Sequence, residues 1–173
     1  MNMLKTNNIM LRHPRVSDLE ACYHQMNDKL IAEGMVAHPY PCSRVYVKDQ
    51  LVRHIALNRK KRKEDEVFVI AYQGKLAGEI ELSHIKPKLH AKVGYWIGKE
   101  FRGKGIATAA LKLITQYAFQ HYGLRRVDAY VRTYNKGSIR VLEKAGFKRE
   151  GILRKHVLKN GKYYDDYVYA KVR

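Results

Sequence analysis

One stretch in the middle of the chain, residues 92–119, constrains the fold more than any other. An extended apolar segment, Lys92 to Ile97, leads into a basic turn with glycines at positions 98, 103 and 105. From Thr108 to Phe119 the apolar residues recur at helical spacing. The first N–H groups of a helix lack internal partners, and the helix dipole adds positive charge there. A strand, a glycine-bearing basic turn and a helix therefore predict a site for a phosphorylated ligand.

Two phosphate-binding patterns compete for this turn. Gly98 to Lys104 has the G-x-x-x-x-G-K spacing of a nucleotide P-loop, but the next residue, which should carry a hydroxyl group for magnesium, is Gly105. The pattern Arg-x-x-Gly-x-Ala is filled by Arg102, Gly105 and Ala107. It resembles the pyrophosphate-binding loop of the GNAT superfamily of acetyl-coenzyme A-dependent N-acetyltransferases, in which backbone amides replace a metal ion. An ordinary helix start with solvated basic side chains is the alternative.

Segments on both sides of the turn extend this resemblance. Residues 94–97 and 135–151 are similar to the corresponding segments of the Rim-type branch of the superfamily. That branch contains the acetyltransferases that modify the N-termini of ribosomal proteins, and many uncharacterised relatives. Residues 161–165 resemble the C-terminal hairpin of that branch. The similarity runs from Met10 to Tyr169 and is strongest in the second half of the chain.

The order of apolar segments and turns predicts the same architecture as the resemblance. We expect one α/β (α+β) domain over residues 1–173, with a mixed, mostly antiparallel sheet and helices on both faces. Strands are expected at 9–12, 67–71, 76–85, 91–97, 126–132, 147–157 and 163–172, and helices at 17–27, 44–58, from the turn to about 122, and 136–145. A loop is expected at 33–42, and in the family this loop and the following helix line the acceptor site.

The resemblance implies a set of residues that bind acetyl-coenzyme A as the cosubstrate. They are the segment Tyr95, Trp96 and Ile97 through its main chain, the turn residues Arg102, Gly103, Lys104, Gly105, Ile106 and Ala107, and the pair Asn135 and Ser138. Each group has a structural alternative. Tyr95 and Trp96 suit a core, and Asn135 and Ser138 are good helix caps.

Attack of an amine on a thioester also needs a group that stabilises the departing thiolate. Many members of the superfamily carry a tyrosine for this purpose, and the corresponding position here is Leu142. The resemblance to the Rim-type branch implies Ser138 instead. A serine hydroxyl is a weak acid, so we expect Ser138 to donate a hydrogen bond rather than a whole proton.

The base that removes the amine proton has several candidates. Glu79 and Glu81 alternate with apolar residues, so both leave the strand on the same face. If that face lines the acceptor cleft, either carboxylate can relay the proton; if it faces solvent, they are surface partners of basic side chains. The position that matches the acidic residue proposed in Rim-type relatives is Val157, and His156 and His84 are further candidates.

The net charge of +18 indicates an anionic partner. Together with the resemblance, it suggests that the acceptor amine is the N-terminus of a ribosomal protein on an anionic ribonucleoprotein surface, with Glu33, Asp165 and Asp166 receiving the local ammonium group. The same field opposes a polyamine. Small-molecule amines, a non-catalytic coenzyme A-binding protein and a nucleic-acid-binding protein remain alternatives.

The rest of the composition indicates a cytoplasmic protein without a membrane segment. A monomer or a homodimer is expected. The chain has no run of eighteen apolar residues, and Met1 to Met10 lacks a signal-peptide pattern. Cys22 and Cys42 lack C-x-x-C spacing, which indicates reduced thiols. The eight histidines are scattered without ligand spacing, so no metal site is expected.

Overall fold

A single eight-stranded sheet runs through the computed structural model, which describes residues 4–6 and 8–173. The strands are β1 (Leu4–Thr6), β2 (Ile9–Arg12), β3 (Glu66–Tyr72), β4 (Lys75–Lys86), β5 (His90–Ile97), β6 (Arg126–Arg132), β7 (Lys148–Lys159) and β8 (Lys162–Val172). Their order is β1-β2-β3-β4-β5-β6-β8-β7. Neighbouring strands are antiparallel except β5 and β6, which are parallel. The expected mixed, mostly antiparallel sheet is confirmed. The expectation about a signal segment falls partly on positions 1–3 and 7, which lie outside the described residues.

Helices cover both faces of the sheet, as expected. They are α1 (Leu19–Met26), α2 (Lys29–Gly34), α3 (Arg44–Arg59), α4 (Ile106–His121) and α5 (Lys136–Lys144). One apolar core joins α1, α2 and α3 to the sheet and contains Cys22, Val47 and Trp96. The other core joins α4 and α5 to the opposite face and contains Leu111 and Leu142.

Strand β3 separates these two cores. Phe68 and Ile70 pack in the α4 core, whereas Val69 packs in the core of α1 and α3. Side chains alternate between the faces of a strand, so a strand buried on both faces reads as a continuous apolar run. Because β3 is buried on both faces, all residues from Val67 to Ala71 are apolar.

Two short elements were missed by the sequence reasoning. Strand β1 has three residues and lies at the edge of the sheet against β2. Helix α2 has six residues, and the Asp28 carboxylate accepts hydrogen bonds from the N–H groups of Leu30 and Ile31 at its start, at 2.8 and 3.2 Å. The loop expected at 33–42 therefore begins only after Gly34. Such short elements carry too few residues for a periodic pattern.

A split between β5 and β6 opens the sheet on one side. The two strands pair only at His90–Lys92 with Arg126–Asp128. Beyond that point, β5 pairs only with β4 and β6 pairs only with β8 among the described residues. Backbone polar groups on the facing edges are thus left without strand partners, and such groups require a partner. Helix α4 connects the parallel strands β5 and β6, so its N-terminus lies at the open end of the split.

Candidate functional site

The turn between β5 and α4 presents unpaired backbone amides. Gly103 and Gly105 have φ angles of +75° and +74°, which favour glycine, and both positions are exposed with no atom within 4 Å of where a Cβ would lie. Within the described part of the chain, no N–H group from Gly103 to Thr108 has a hydrogen-bond acceptor. These groups lie at the positive end of the α4 dipole. The turn can therefore receive phosphate oxygens on its backbone.

The side chain of Arg102 points back into the protein rather than into the turn. Its Nε donates to the Ile97 carbonyl at 3.1 Å, and its Nη2 lies 3.0 Å from the Asp28 carboxylate. Burial raises the pKa of Asp28, but hydrogen bonds from Arg102 and from two backbone amides outweigh this and lower it. We call the Asp28–Arg102–Ile97 contact the loop latch. The guanidinium thus fixes the turn against β5 and α2.

Helix α1 braces the start of the same turn. A Cβ on Gly98 would lie 1.9 Å from Oε1 of Gln25, so a side chain at this position would collide with Gln25. The Gln25 amide also donates to Glu100 at 2.6 Å. Sequence reasoning did not single out Gln25, although a polar residue among the buried positions of α1 was a signal.

The three β5 residues at the split direct their side chains away from its free edge. Trp96 is buried in the core of α1 and α3, and its indole donates to Glu79 at 3.2 Å. Tyr95 and Ile97 pack against the opposite core. The Trp96 side chain is thus a core residue, as the structural alternative stated above proposed. The main chain of this segment remains the part that faces the split.

Helix α5 begins on the other side of the split and brings Ser138 to Tyr95. The Asn135 side chain accepts from the Ser138 N–H at 3.0 Å and so caps the helix. The hydroxyl oxygens of Tyr95 and Ser138 are 2.7 Å apart. Burial raises the pKa of Tyr95 to about 12 against a smaller opposing effect of the Ser138 hydrogen bond, so the phenol is neutral. Leu142 is buried in the core.

Glu79 and Glu81 share one face of β4, as expected, and it is the face covered by α1 and α3. Glu79 is buried, accepts from Trp96, and lies 3.6 Å from the His54 imidazole. Glu81 is half-buried opposite Gly94, whose added Cβ would lie 3.2 Å from its Oε1. Burial raises the pKa of Glu81, the nearby His54 lowers it, and Glu79 raises it. Glu81 is therefore a carboxyl group of raised pKa beside the split, whereas Glu79 already has two partners.

The other base candidates occupy different positions. The His156 imidazole lies 2.9 Å from the Asp166 carboxylate, and Val157 is buried. Asp166 is also paired with Arg132, so it is not free to receive an ammonium group, and Asp165 accepts the N–H of Lys155 at 2.7 Å. His84 is exposed near the distal end of β4, where its N–H binds Asp65. The structure does not bring His84 into the site.

Positive charge lines the same face of the split. Lys92 lies 5.0 Å from the ring centroid of Tyr130, and alternation along the strands places both on the face of Gly94 and Glu81. Arg132 follows on that face and is buried; its Nη1 contacts Asp166, while its Nε and Nη2 lack partners among the described residues. Asp166 lies opposite Arg132 on this face, so Lys92 is the basic side chain there that has no carboxylate partner among the described residues.

In the described residues, no three His, Cys, Asp or Glu side chains are arranged so that they could hold a metal ion. None of the helices described is both long and apolar enough to cross a bilayer. Cys22 and Cys42 are buried free thiols, and burial raises the pKa of each.

Comparisons with known proteins agree with this geometry. The family model for the acetyltransferase (GNAT) domain matches residues 8–148. The probable N-acetyltransferase YjcK of Bacillus subtilis (strain 168) is 50% identical over 80 residues, 46% of this chain and 44% of that protein. The putative ribosomal N-acetyltransferase YdaF of the same strain is 38% identical over 105 residues, 60% of this chain and 57% of that protein. The chain thus matches about half the length of these two relatives.

Two further matches cover nearly the whole chain. The spermidine N(1)-acetyltransferase of Escherichia coli (strain K12) is 29% identical over 163 residues, 93% of this chain and 84% of that protein. The crystal structure of the microcin C7 self-immunity acetyltransferase MccE in complex with acetyl-CoA and AMP superposes with a TM-score of 0.86. It is 27% identical and covers 97% of this chain and 94% of that one.

Proposed function

Because the chain belongs to the acetyltransferase (GNAT) family, we propose that it transfers the acetyl group of acetyl-coenzyme A to a primary amine by direct attack in a ternary complex. The observation that carries this proposal is the split between β5 and β6, which opens beside the unpaired amides of residues 103–108. An extended pantetheine arm fits a free strand edge, because both offer amide groups for hydrogen bonding. The MccE structure, which has a similar fold and is in complex with acetyl-CoA, supports acetyl-coenzyme A as the donor.

The turn residues hold the donor substrate. The backbone from Gly103 to Ala107 donates hydrogen bonds to the pyrophosphate, and the loop latch fixes the turn against β5. Lys104 adds an exposed positive charge at the same turn. No metal ion is required, because the amides and the α4 dipole offset the phosphate charge.

Proton transfer is assigned to Glu81. Its carboxylate lies against Gly94, at the point where the free edge of β5 begins to face the split. A buried carboxyl group with a raised pKa is a stronger base than an exposed one once it is ionised. Glu81 accepts the amine proton directly or through one water molecule, and Ser138 donates a hydrogen bond to the leaving sulfur. Glu79 holds the Trp96 indole in place.

A protein N-terminus is the acceptor that these features favour. YdaF, which matches 60% of the chain, is named a putative ribosomal N-acetyltransferase. The net charge of +18 attracts the enzyme to a ribonucleoprotein. Lys92 on the acceptor face opposes a polycation, whereas a single α-amino group needs only Glu81. The spermidine N(1)-acetyltransferase, 29% identical over 163 residues, supplies the competing acceptor class.

The test is acetyl-coenzyme A turnover measured by thiol release at two ionic strengths. The acceptors are ribosomal particles, peptides with the N-terminal residues of ribosomal proteins, spermidine, amino acids and an aminoglycoside. We expect acetylation of the particles to dominate, to fall as salt rises, and to survive a chelator.

Three other results would separate the alternatives. Preference for spermidine or an aminoglycoside with salt-independent acetylation of particles would refute the N-terminal acceptor but keep the acetyltransferase. Coenzyme A binding without turnover on any acceptor would indicate a non-catalytic coenzyme A-binding protein. Absence of both coenzyme A binding and turnover, together with binding to RNA, would indicate a nucleic-acid-binding protein.

A further inference from the structure

The hydroxyl groups of Tyr95 and Ser138 form a pair that links β5 to α5 across the split. Their oxygens are 2.7 Å apart, and the Tyr95 hydroxyl also lies 3.4 Å from the Ser138 carbonyl. In the part of the chain that the structure describes, neither hydroxyl has any other hydrogen-bond partner. The Tyr95 ring packs against the core of α4, so the phenol cannot swing toward water without leaving that core.

The direction of the short hydrogen bond follows from the available acceptors. The phenol of Tyr95 is neutral and carries one proton. If Ser138 donated to Tyr95, the partly buried phenol proton would have only the carbonyl at 3.4 Å, a long and weak contact. If Tyr95 donates to Ser138, the short bond is made and the serine proton is free to point elsewhere. A donor left unsatisfied at a partly buried position is costly, so the second arrangement is the stable one.

We infer that Tyr95 is a positioning residue, which donates to Ser138 and thereby directs the serine proton into the split toward the sulfur of the leaving group. The inference rests on the proposed acetyl transfer. In that reaction the N–C bond forms, the C–S bond breaks, and its electron pair stays on sulfur. The amine proton goes to Glu81. Ser138 keeps its proton and donates a hydrogen bond to the thiolate, and the bond accepted from Tyr95 makes its hydroxyl a stronger donor.

The first experiment measures the pKa of the thiol of bound coenzyme A. Thiolate formation is followed by ultraviolet absorbance in a pH titration of the complex, with the desulfo-coenzyme A complex as the blank. Removing one hydrogen bond to a charged group should raise the thiol pKa by about one unit in Ser138→Ala. Tyr95→Phe should raise it by a smaller amount. The double variant should match Ser138→Ala alone, since Tyr95 acts only through Ser138.

Tyr169→Phe is the matched control. The Tyr169 hydroxyl donates to Glu143 of the same helix α5 at 2.9 Å, so this variant also removes a tyrosine hydroxyl bonded to that helix. Removal of the Tyr169 hydroxyl should leave the pKa of the coenzyme A thiol and the turnover rate unchanged. For Tyr95→Phe, we expect kcat to fall about three- to tenfold with little change in the KM for acetyl-coenzyme A.

A second variant tests the direction of the bond while keeping the tyrosine shape. Difluorotyrosine introduced at position 95 is a more acidic phenol and hence a stronger donor. If Tyr95 donates to Ser138, this change should lower the thiol pKa of bound coenzyme A. An increase, or no change, would overturn the inference even if Tyr95→Phe failed to fold.

The outcomes separate this inference from the proposed function. If the wild-type protein binds coenzyme A but Tyr95→Phe leaves the thiol pKa unchanged, the positioning role is refuted and the acetyltransferase proposal stands. A purely structural role for Tyr95 would appear as a lower Tm with an unchanged thiol pKa. If the wild-type protein does not bind coenzyme A at all, both are overturned.

Discussion

Glu66 is the residue whose removal should most clearly weaken the framework behind the site. It is 1% exposed at the start of β3, and four side chains converge on its carboxylate. Their distances to its oxygens are 3.0 Å for His13, 2.5 Å for Lys63, 3.0 Å for Tyr117 and 2.7 Å for Tyr122. Tyr117 lies near the C-terminal end of α4 and Tyr122 directly follows that helix, whose N-terminal end carries the amides of the turn. The cluster therefore anchors that helix to the sheet.

The pKa of Glu66 sets the size of the effect. Burial raises it, but hydrogen bonds from His13, Lys63 and Tyr122 and the charge of Lys63 outweigh burial and lower it from 4.5 to about 2. A carboxyl group shifted this far contributes about 3 kcal/mol of stability at neutral pH. Glu66→Gln should therefore lower the unfolding free energy by about 3 kcal/mol and the Tm by about 6–12 °C.

The pH dependence gives the sharper test. Since the folded-state pKa is lowered, the stabilisation is complete above the unfolded value of 4.5 and is lost as pH falls through about 2. The difference between wild type and Glu66→Gln in urea unfolding should thus shrink by about 2 kcal/mol between pH ~7 and ~3. Glu64→Gln, an exposed neighbour, is the control and should change stability by less than about 0.5 kcal/mol. A difference of constant size at both pH values would refute the electrostatic explanation.

Three further predictions concern the site. Gly105→Val should sharply weaken coenzyme A binding in calorimetry, and an affinity equal to that of the wild type would place the anion site elsewhere. Gly161→Val, at nearly the same φ in a distant hairpin, should lose about the same 1–2 kcal/mol of stability without affecting binding. Glu81→Gln should reduce the turnover rate at neutral pH, with recovery at alkaline pH, and an unchanged pH–rate profile would remove Glu81 from the mechanism. The same variant should stabilise the fold, because a carboxyl group of raised pKa contributes stability below its pKa and loses it as pH rises. Asp28→Asn keeps the helix cap but weakens the loop latch, so this variant and Arg102→Gln should each raise the Kd for coenzyme A about two- to fivefold. Tighter binding by Asp28→Asn would instead mean that Arg102 contacts phosphate directly.

Local sequence was sufficient for most of the elements. Strand β6 was predicted with the observed bounds, Arg126–Arg132, and α3 with an error of one residue at its end. In both, the side-chain period and the flanking residues act within one element, so neighbours in sequence determine them. The glycine-bearing turn between β5 and α4 also belongs to this group, and the structure adds that Gly103 and Gly105 have positive φ angles.

The partners of the site residues depended on the tertiary structure. Sequence placed Glu79 and Glu81 on one face of a strand but could not say which face was covered, since this depends on where α1 and α3 pack. It placed Arg102 in the coenzyme-binding turn but gave no sign that its guanidinium contacts Asp28, 74 positions earlier in the chain.

The contact between Tyr95 and Ser138 has the same origin. It joins β5 to α5 across 43 positions and exists only because β5 and β6 separate after three paired residues. Backbone conformation and amphipathic pattern are local properties, and this sequence determined them by itself. Contacts between distant residues are set by the packing of whole elements, so only the folded chain decided which polar side chains meet at the split.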